Sequence, residues 1–179
     1  MKLWAHAINF RYERPQAGRY RQFEQFDLEA LGVLDPALDA EVLDVGWRIS
    51  QELGLEGLTL LLNSIGDRED RKAYVPVLRA HFESNLDAMC ADCRGRFDRA
   101  PMRLLDCKKD SCKPFQEGAP TIAEHLRSES AAYFDAVKGQ LAALEIPFRE
   151  APTLVANAFH HRSDALSSVA YAPVGLSVP

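Results

Sequence analysis

Residues 10–32 read FRYERPQAGRYRQFEQFDLEALG. Residues 1–13 have the pattern of one β-strand and residues 21–31 that of a second. Between them, residues 14–20 hold a Pro, a Gly and two Arg, which suits a solvated hairpin loop. Successive side chains on a strand point to opposite faces. Ile8, Phe10 and Tyr12 therefore share one face of the first strand, and Arg11 and Glu13 the other. On the second strand Phe26, Leu28 and Ala30 share one face, and Arg21, Gln25, Asp27 and Glu29 the opposite one. The hairpin so defined has a greasy face and a face dense in charge. An ordinary solvated face favours Lys, Thr and Ser. Rows of arginines and carboxylates suit a phosphate and an amine.

The residue order F-R-x-E-R-P-Q-x-G-R-x-R-Q-F, followed by Q and then E-x-x-G, resembles motif 2 of the class II aminoacyl-tRNA synthetases, in the form used by histidyl-tRNA synthetases. The resemblance implies an α+β fold, a fragment of the class II antiparallel-sheet catalytic core carrying a helical insertion. It implies that Arg11 holds the ATP α-phosphate and the histidine carboxylate. Glu13 would contact the adenine end of ATP, and Arg19 would lie near the nucleotide or the tRNA end. Gln25 and Glu29 would contact histidine, Glu29 through the α-amino group. ATP and Mg²⁺ are the cofactors this implies, with histidine and tRNA as partners.

Composition sets the outer bounds. The chain has 179 residues, enough for one sizeable core but hardly two. A formal charge of −5 excludes a global basic footprint for nucleic acid. Any tRNA contact is then local, through Arg14, Arg19 and Arg21. No apolar run has the length of a membrane span, and MKLWAHAINF lacks the apolar core and cleavage site of a secretory signal. Four Cys without an export signal point to a reducing, cytoplasmic setting rather than a disulfide framework.

Beyond the hairpin, Asp35 and Pro36 read as N-cap and first residue of a helix that Gly54 closes. Its stripe of Leu38, Val42, Val45, Ile49 and Leu53 is expected to cover the greasy face of the hairpin. Leu58 to Asn63 is a short buried strand by composition. NSIGDRED, also similar to the family pattern, turns into a helix capped by Asp67, which Pro76 should kink or divide before residue 84. Thr121 to Glu124 has the form of a capping box, opening a helix with Ile122, Leu126, Phe134, Val137, Leu141 and Leu144.

The cysteines fall as Cys90-Ala-Asp-Cys93, Cys107 and Cys112. A CxxC pair with a second, looser pair can hold Zn²⁺ tetrahedrally. However, ADCRGRFDRAPMRLLDCK resembles the family's insertion stretch, C-x-x-C-R-x-R-x-x-x-x-P-x-R-x-L-D-C-K, for which a metal is not a general requirement. The expectation is therefore no metal, with zinc the lesser reading. Arg94, Arg96, Arg99, Arg103, Lys108 and Lys109 read as a solvated or tRNA-facing surface.

After Leu154-Val155 the sequence leaves the family pattern. Where the family has R-G-L-D-Y-Y, a loop that reads histidine, this chain has Ala156-Asn157-Ala158-Phe159-His160-His161-Arg162. The two histidines read as exposed polar residues, without a carboxylate or Cys nearby to complete a metal set. Residues 1–155 are thus expected to form a partial synthetase core (hairpin 1–32, insertion about 67–120), and 156–179 a divergent and least ordered tail. Motif 1 and motif 3 have no counterpart in the sequence. Two functions follow. One is a catalytic-core fragment related to ATP-dependent histidine activation and transfer to tRNA. The other is a non-catalytic relic or paralogue that binds ATP, histidine or a partner. The polypeptide alone is expected not to aminoacylate. Its hairpin, lacking sheet neighbours, is expected to be marginal and to invite homodimerisation at its edges.

Overall fold

The computed structural model describes residues 1–12 and 20–151, and residues 170–173 as backbone. Strand β1 (Lys2–Phe10) pairs antiparallel with β2 (Gln22–Ala30), in a register running from Lys2↔Ala30 to Phe10↔Gln22. The ladder continues beyond both ends. The Arg11 N–H donates to the Arg21 carbonyl at 2.8 Å, and the Leu31 N–H to the Met1 carbonyl at 2.8 Å. The expected hairpin is therefore present, and among the described residues it stands as a two-stranded sheet.

Helix α1 (Pro36–Glu52) starts as its sequence dictates. The Asp35 carboxylate accepts the Ala37 N–H at 2.9 Å, and Pro36 occupies the first turn, where a missing N–H costs nothing. Gly54 ends it with φ at +72°, a conformation that favours glycine. The buried stripe is not the expected one. Ala40 and Leu43 are buried with Trp47 packed beside them, whereas Leu53 is exposed. This stripe turns α1 toward α5 (Ser128–Ala143) and β3 (Leu58–Leu62), and away from the greasy hairpin face. Trp4, Ile8, Phe10 and Phe26 consequently stay exposed, Trp4 stacked on Phe26 with ring centres 5.8 Å apart. The helix meets the hairpin at one end, through the ion pair of Lys2 Nζ with Glu41 at 2.5 Å.

Strand β3 is flanked by β4 (Phe148–Glu150) and β5 (Ala170–Pro173), parallel to the first and antiparallel to the second. A parallel partner needs a long crossover. Here the chain makes it through α2 (Arg68–Glu83), α3 (Ala91–Arg96), α4 (Lys113–Gln116) and α5. The antiparallel expectation holds for β1–β2 and β3–β5 and gives way at β3–β4. Part of the expected tail, residues 170–173, is the strand β5; the rest of the tail lies outside the described residues.

Pro76 does not divide α2, which runs unbroken from Arg68 to Glu83. Pro76 is exposed, as is Lys72, whose carbonyl loses its helical partner. Water can take that role on this side, while Tyr74, Leu78 and Phe82 bury the other face. The expected capping box at Thr121 does not form. Ile122–His125 makes a single 3₁₀ turn without a side-chain cap, and α5 begins at Ser128. The reason lies far away in sequence: the Arg127 N–H donates to Asp70 Oδ1 at 2.8 Å, which fixes the chain before the helix can start.

Buried residues form two clusters where length predicted one core. The first joins α1, β3 and α5 through Ala40, Leu43, Leu60, Leu62, Phe134, Val137 and Leu141. The second joins α2 to the short helices after it, through Tyr74, Leu78, Phe82, Met89, Cys93, Leu104, Cys112 and Ile122. Asp70 ties the two together. It is fully buried, and its carboxylate accepts from the Asp67 N–H, the Arg127 N–H and guanidinium, and the Ser130 hydroxyl. Burial by itself would raise its pKa. The hydrogen bond from Ser130 and those from the two N–H groups, with the charge of Arg127, outweigh burial and hold the pKa at about 2.

Candidate functional site

Residues directly opposite in an antiparallel pair share a face. The register puts Leu3, Ala5, Ala7 and Asn9 opposite Glu29, Asp27, Gln25 and Phe23. Arg11, opposite Arg21, extends this face. The long polar side chains of β2 are thus matched by small residues of β1, which leaves room above Ala5 and Ala7. The opposite face carries Trp4, His6, Ile8 and Phe10 against Leu28, Phe26, Glu24 and Gln22.

Arg11, Gln25 and Glu29 are on one face and half-buried. They are not within touching distance of one another. At a rise of about 3.3 Å per residue, Gln25 lies about 13 Å along the face from the Arg11–Arg21 pair, and Glu29 about 13 Å further. The face therefore orders its groups as a line: guanidinium, amide, carboxylate. Glu13 and Arg19 lie outside the described residues.

Each described group is held by a neighbour that strand alternation had placed but not connected. The Arg11 guanidinium lies over the Phe23 ring, 3.9 Å from its centre, a cation–π contact that restrains the side chain along the sheet. Asn9 Nδ2 donates to Gln25 Oε1 at 3.2 Å, and Gln25 Nε2 donates to Asp27 Oδ1 at 2.6 Å. This chain fixes the orientation of the Gln25 amide. Phe23 and Asn9 belong to the site and were missed by reading charge alone. Their parity in the strands was the signal that could have found them.

A cleft of about 260 Å³ lies at the other end of the hairpin, between Met1, Lys2, Val33, Asp35 and α1. It holds none of the predicted site residues. Among the described residues, the one set of His, Cys, Asp or Glu close enough to share a metal ion is Cys90, Cys93, Cys107 and Cys112. Their Sγ atoms all lie within 4.8 Å of one another. Spacing in sequence left zinc as the lesser reading; in the structure the two pairs of cysteines converge. Cys93 and Cys112 are fully buried, and all four are free thiols. The backbone N–H of Cys93 directed at Cys90 pulls that thiol down to about 7, while burial pushes the Cys93 thiol up. Among the described residues no comparable cluster of oxygens is present for Mg²⁺. It is a cation usually carried on substrate phosphates with few protein ligands.

No family model matches the chain. The sequence is similar to histidine–tRNA ligase 1 of Shouchella clausii, 46% identical over 172 residues that make up 96% of this chain and 40% of that protein. It is 46% identical to the histidine–tRNA ligase of Listeria monocytogenes over 155 residues, 87% of this chain and 36% of the relative. Against that of a Geobacillus species it is 45% identical over 170 residues, 94% and 40% of the two chains. Among solved structures, apo histidyl-tRNA synthetase of S. aureus superposes with a TM-score of 0.66 at 34% identity, covering 93% of this chain and 41% of that one. The chain spans about two fifths of the length of the relatives it matches.

Proposed function

From the premise that this chain is homologous to the histidine–tRNA ligases over the two fifths of their length it spans, we propose that the charged face of β1–β2 binds ATP and histidine for adenylate formation. The observation that carries this is the line of groups above a floor of small residues. It begins at Arg11 on Phe23, passes through the Asn9–Gln25–Asp27 chain and ends at Glu29. When the histidine carboxylate oxygen attacks the α-phosphorus and pyrophosphate leaves, negative charge grows on the phosphate oxygens. A guanidinium already held in place stabilises that charge without reorganising. Mg²⁺ bound to the phosphates would add positive charge at the same point. On the same reading Glu13 is assigned the adenine end of ATP, and Arg19 the nucleotide or the tRNA end.

On this reading Gln25 and Glu29 face the histidine side of the substrate, and Gln25, about 13 Å along the strands from the Arg11–Arg21 pair, is the nearer of the two. Residues 1–155 then serve as a partial core, with residues of about 67–120 as its insertion. We place the chain in the cytoplasm on the same homology. No helix among the described residues is long and apolar enough to cross a membrane. The uncovered face of Trp4, Ile8, Phe10 and Phe26 supports self-association.

Calorimetry with ATP tests the proposal. Replacing Arg11 by Ala should weaken binding by about 2 kcal/mol, close to thirtyfold, the size of a charged hydrogen bond. Equal affinities for the two proteins would refute the role given to Arg11. A second reading, a nucleotide-binding relic without turnover, is favoured by Ala156-Asn157 standing where the histidine-reading loop begins in the family. Cooperating groups act as a unit, and losing one commonly costs orders of magnitude. Histidine-dependent pyrophosphate exchange by the 179-residue chain should therefore stay at the no-enzyme level. Exchange above that level would reject the relic.

A further inference from the structure

We propose that Cys90, Cys93, Cys107 and Cys112 bind one zinc ion as a structural Cys₄ site. A tetrahedral ion with Zn–S bonds of about 2.3 Å spaces its sulfurs about 3.8 Å apart. Cys90 and Cys107 Sγ are 3.7 Å apart, Cys112 and Cys93 Sγ are 3.9 Å apart, and no pair exceeds 4.8 Å. Two of the six distances match the edge of such a tetrahedron, and the other four are no longer than 4.8 Å. Both matching distances are too long for any disulfide, where sulfurs stand about 2.05 Å apart. All-thiolate tetrahedral sites select zinc or iron. A polynuclear iron–sulfur cluster would hold its thiolates further apart than a single ion does, so the spacing favours the mononuclear case.

The surroundings are built around the four sulfurs. Cys90 precedes the first turn of α3, and its own N–H donates to Cys112 Sγ at 3.4 Å. Arg94 Nη1 donates to the Met89 carbonyl at 2.6 Å, bracing the chain just before Cys90. Gln116 Nε2 donates to the Leu104 and Cys107 carbonyls, both at 2.8 Å, and so pins the loop that carries the second pair. Partners of this kind orient metal ligands and are as much a part of a site as the ligands. Four thiolates around Zn²⁺ leave two net negative charges. Basic residues follow the ligands closely: Arg94 after Cys93, Lys108 and Lys109 after Cys107, and Lys113 after Cys112. Two of these bases are ion-paired within the segment, Lys109 with Asp92 at 3.6 Å and Lys113 with Asp110 at 2.6 Å.

From residue 85 to 118 the chain forms only short helices and 3₁₀ turns. Its buried Met89, Cys93, Leu104 and Cys112 pack with α2, and a metal adds stability to this packing because an unfolded chain has no preformed site. Binding releases the thiol protons and changes no oxidation state.

The test uses the 179-residue chain purified under reducing conditions without chelator. Elemental analysis should find about one zinc per chain. A mercurial that titrates the thiols should release that zinc to a colorimetric indicator in step. Cobalt substituted for zinc should show the intense visible bands of a tetrahedral thiolate site. Cys107→Ser should lower the zinc content severalfold. If that variant does not fold, the cobalt spectrum of the unaltered protein still decides. Four thiols reacting freely with no metal released, disulfides found by mass spectrometry, or iron with labile sulfide would each overturn the proposal.

Discussion

Single residues carry their roles here through neighbours that are distant in sequence. Gly66 sits at φ +60°, and a Cβ there would lie 2.6 Å from Asp70 Cβ. Gly66→Ala should therefore cost roughly 2 kcal/mol through backbone strain and the clash. Asp70→Ala should cost about 3 kcal/mol, because Arg127 and the buried donors lose their partner. Both effects would appear as lower urea midpoints with an unchanged slope. Asp70 also makes stability depend on pH. Its folded pKa of about 2 lies below the ordinary 3.8. The contribution, about 2 kcal/mol, is present above pH 3.8 and lost as pH falls from there toward 2. Asp70→Asn should flatten that part of the stability profile. At this scale strand alternation made the charged face legible, since Arg11, Gln25 and Glu29 do share it. Contacts among its members were not legible. Whether Arg11 extends or lies on Phe23 is a matter of rotamer, and Gln25 has several partners of the right parity.

Elements follow their local signals wherever the signal has no long-range competitor. Asp35, Pro36 and Gly54 bound α1, and Asp67 caps α2 through reciprocal bonds with Asp70. Thr121-to-Glu124 carries an equally good local signal and fails, because the Asp70 carboxylate takes the Arg127 N–H across 57 residues. The stripe of α1 was misread for a related reason. Its large aliphatic residues are spaced for a helix face, yet the burial goes to Ala40 and Leu43, where α5 approaches closely. Pro76 offers a direct check. It breaks one bond of α2 on the solvent side, so Pro76→Ala should stabilise the protein by about 1–2 kcal/mol, read from the denaturation midpoint. A loss of stability would show that the proline fits α2 better than its exposed position indicates.

At the level of the whole molecule, the partition into two clusters was beyond sequence reading. It depends on which apolar faces meet, and the thiols converge from positions that spacing alone does not bring together. Leu60→Ala, in the first cluster, should cost about 3 kcal/mol. Trp4→Ala, on the uncovered hairpin face at 70% exposure, should cost well under about 1 kcal/mol. Thermal denaturation of the two variants tests where the core ends. The buried carboxylate of Asp70 has a further consequence for how the molecule comes apart. Its partners at the start of α5 belong to one cluster and its own helix to the other, so its charge makes the two melt as a single cooperative unit. Protonation removes that link without touching either set of apolar contacts. Calorimetry near neutral pH should then give one transition whose van't Hoff and calorimetric enthalpies agree, and below about pH 2, where Asp70 is protonated in the folded protein, two overlapping transitions whose enthalpies do not. A single two-state transition at both pH values would mean that the clusters are joined by more than this one acid.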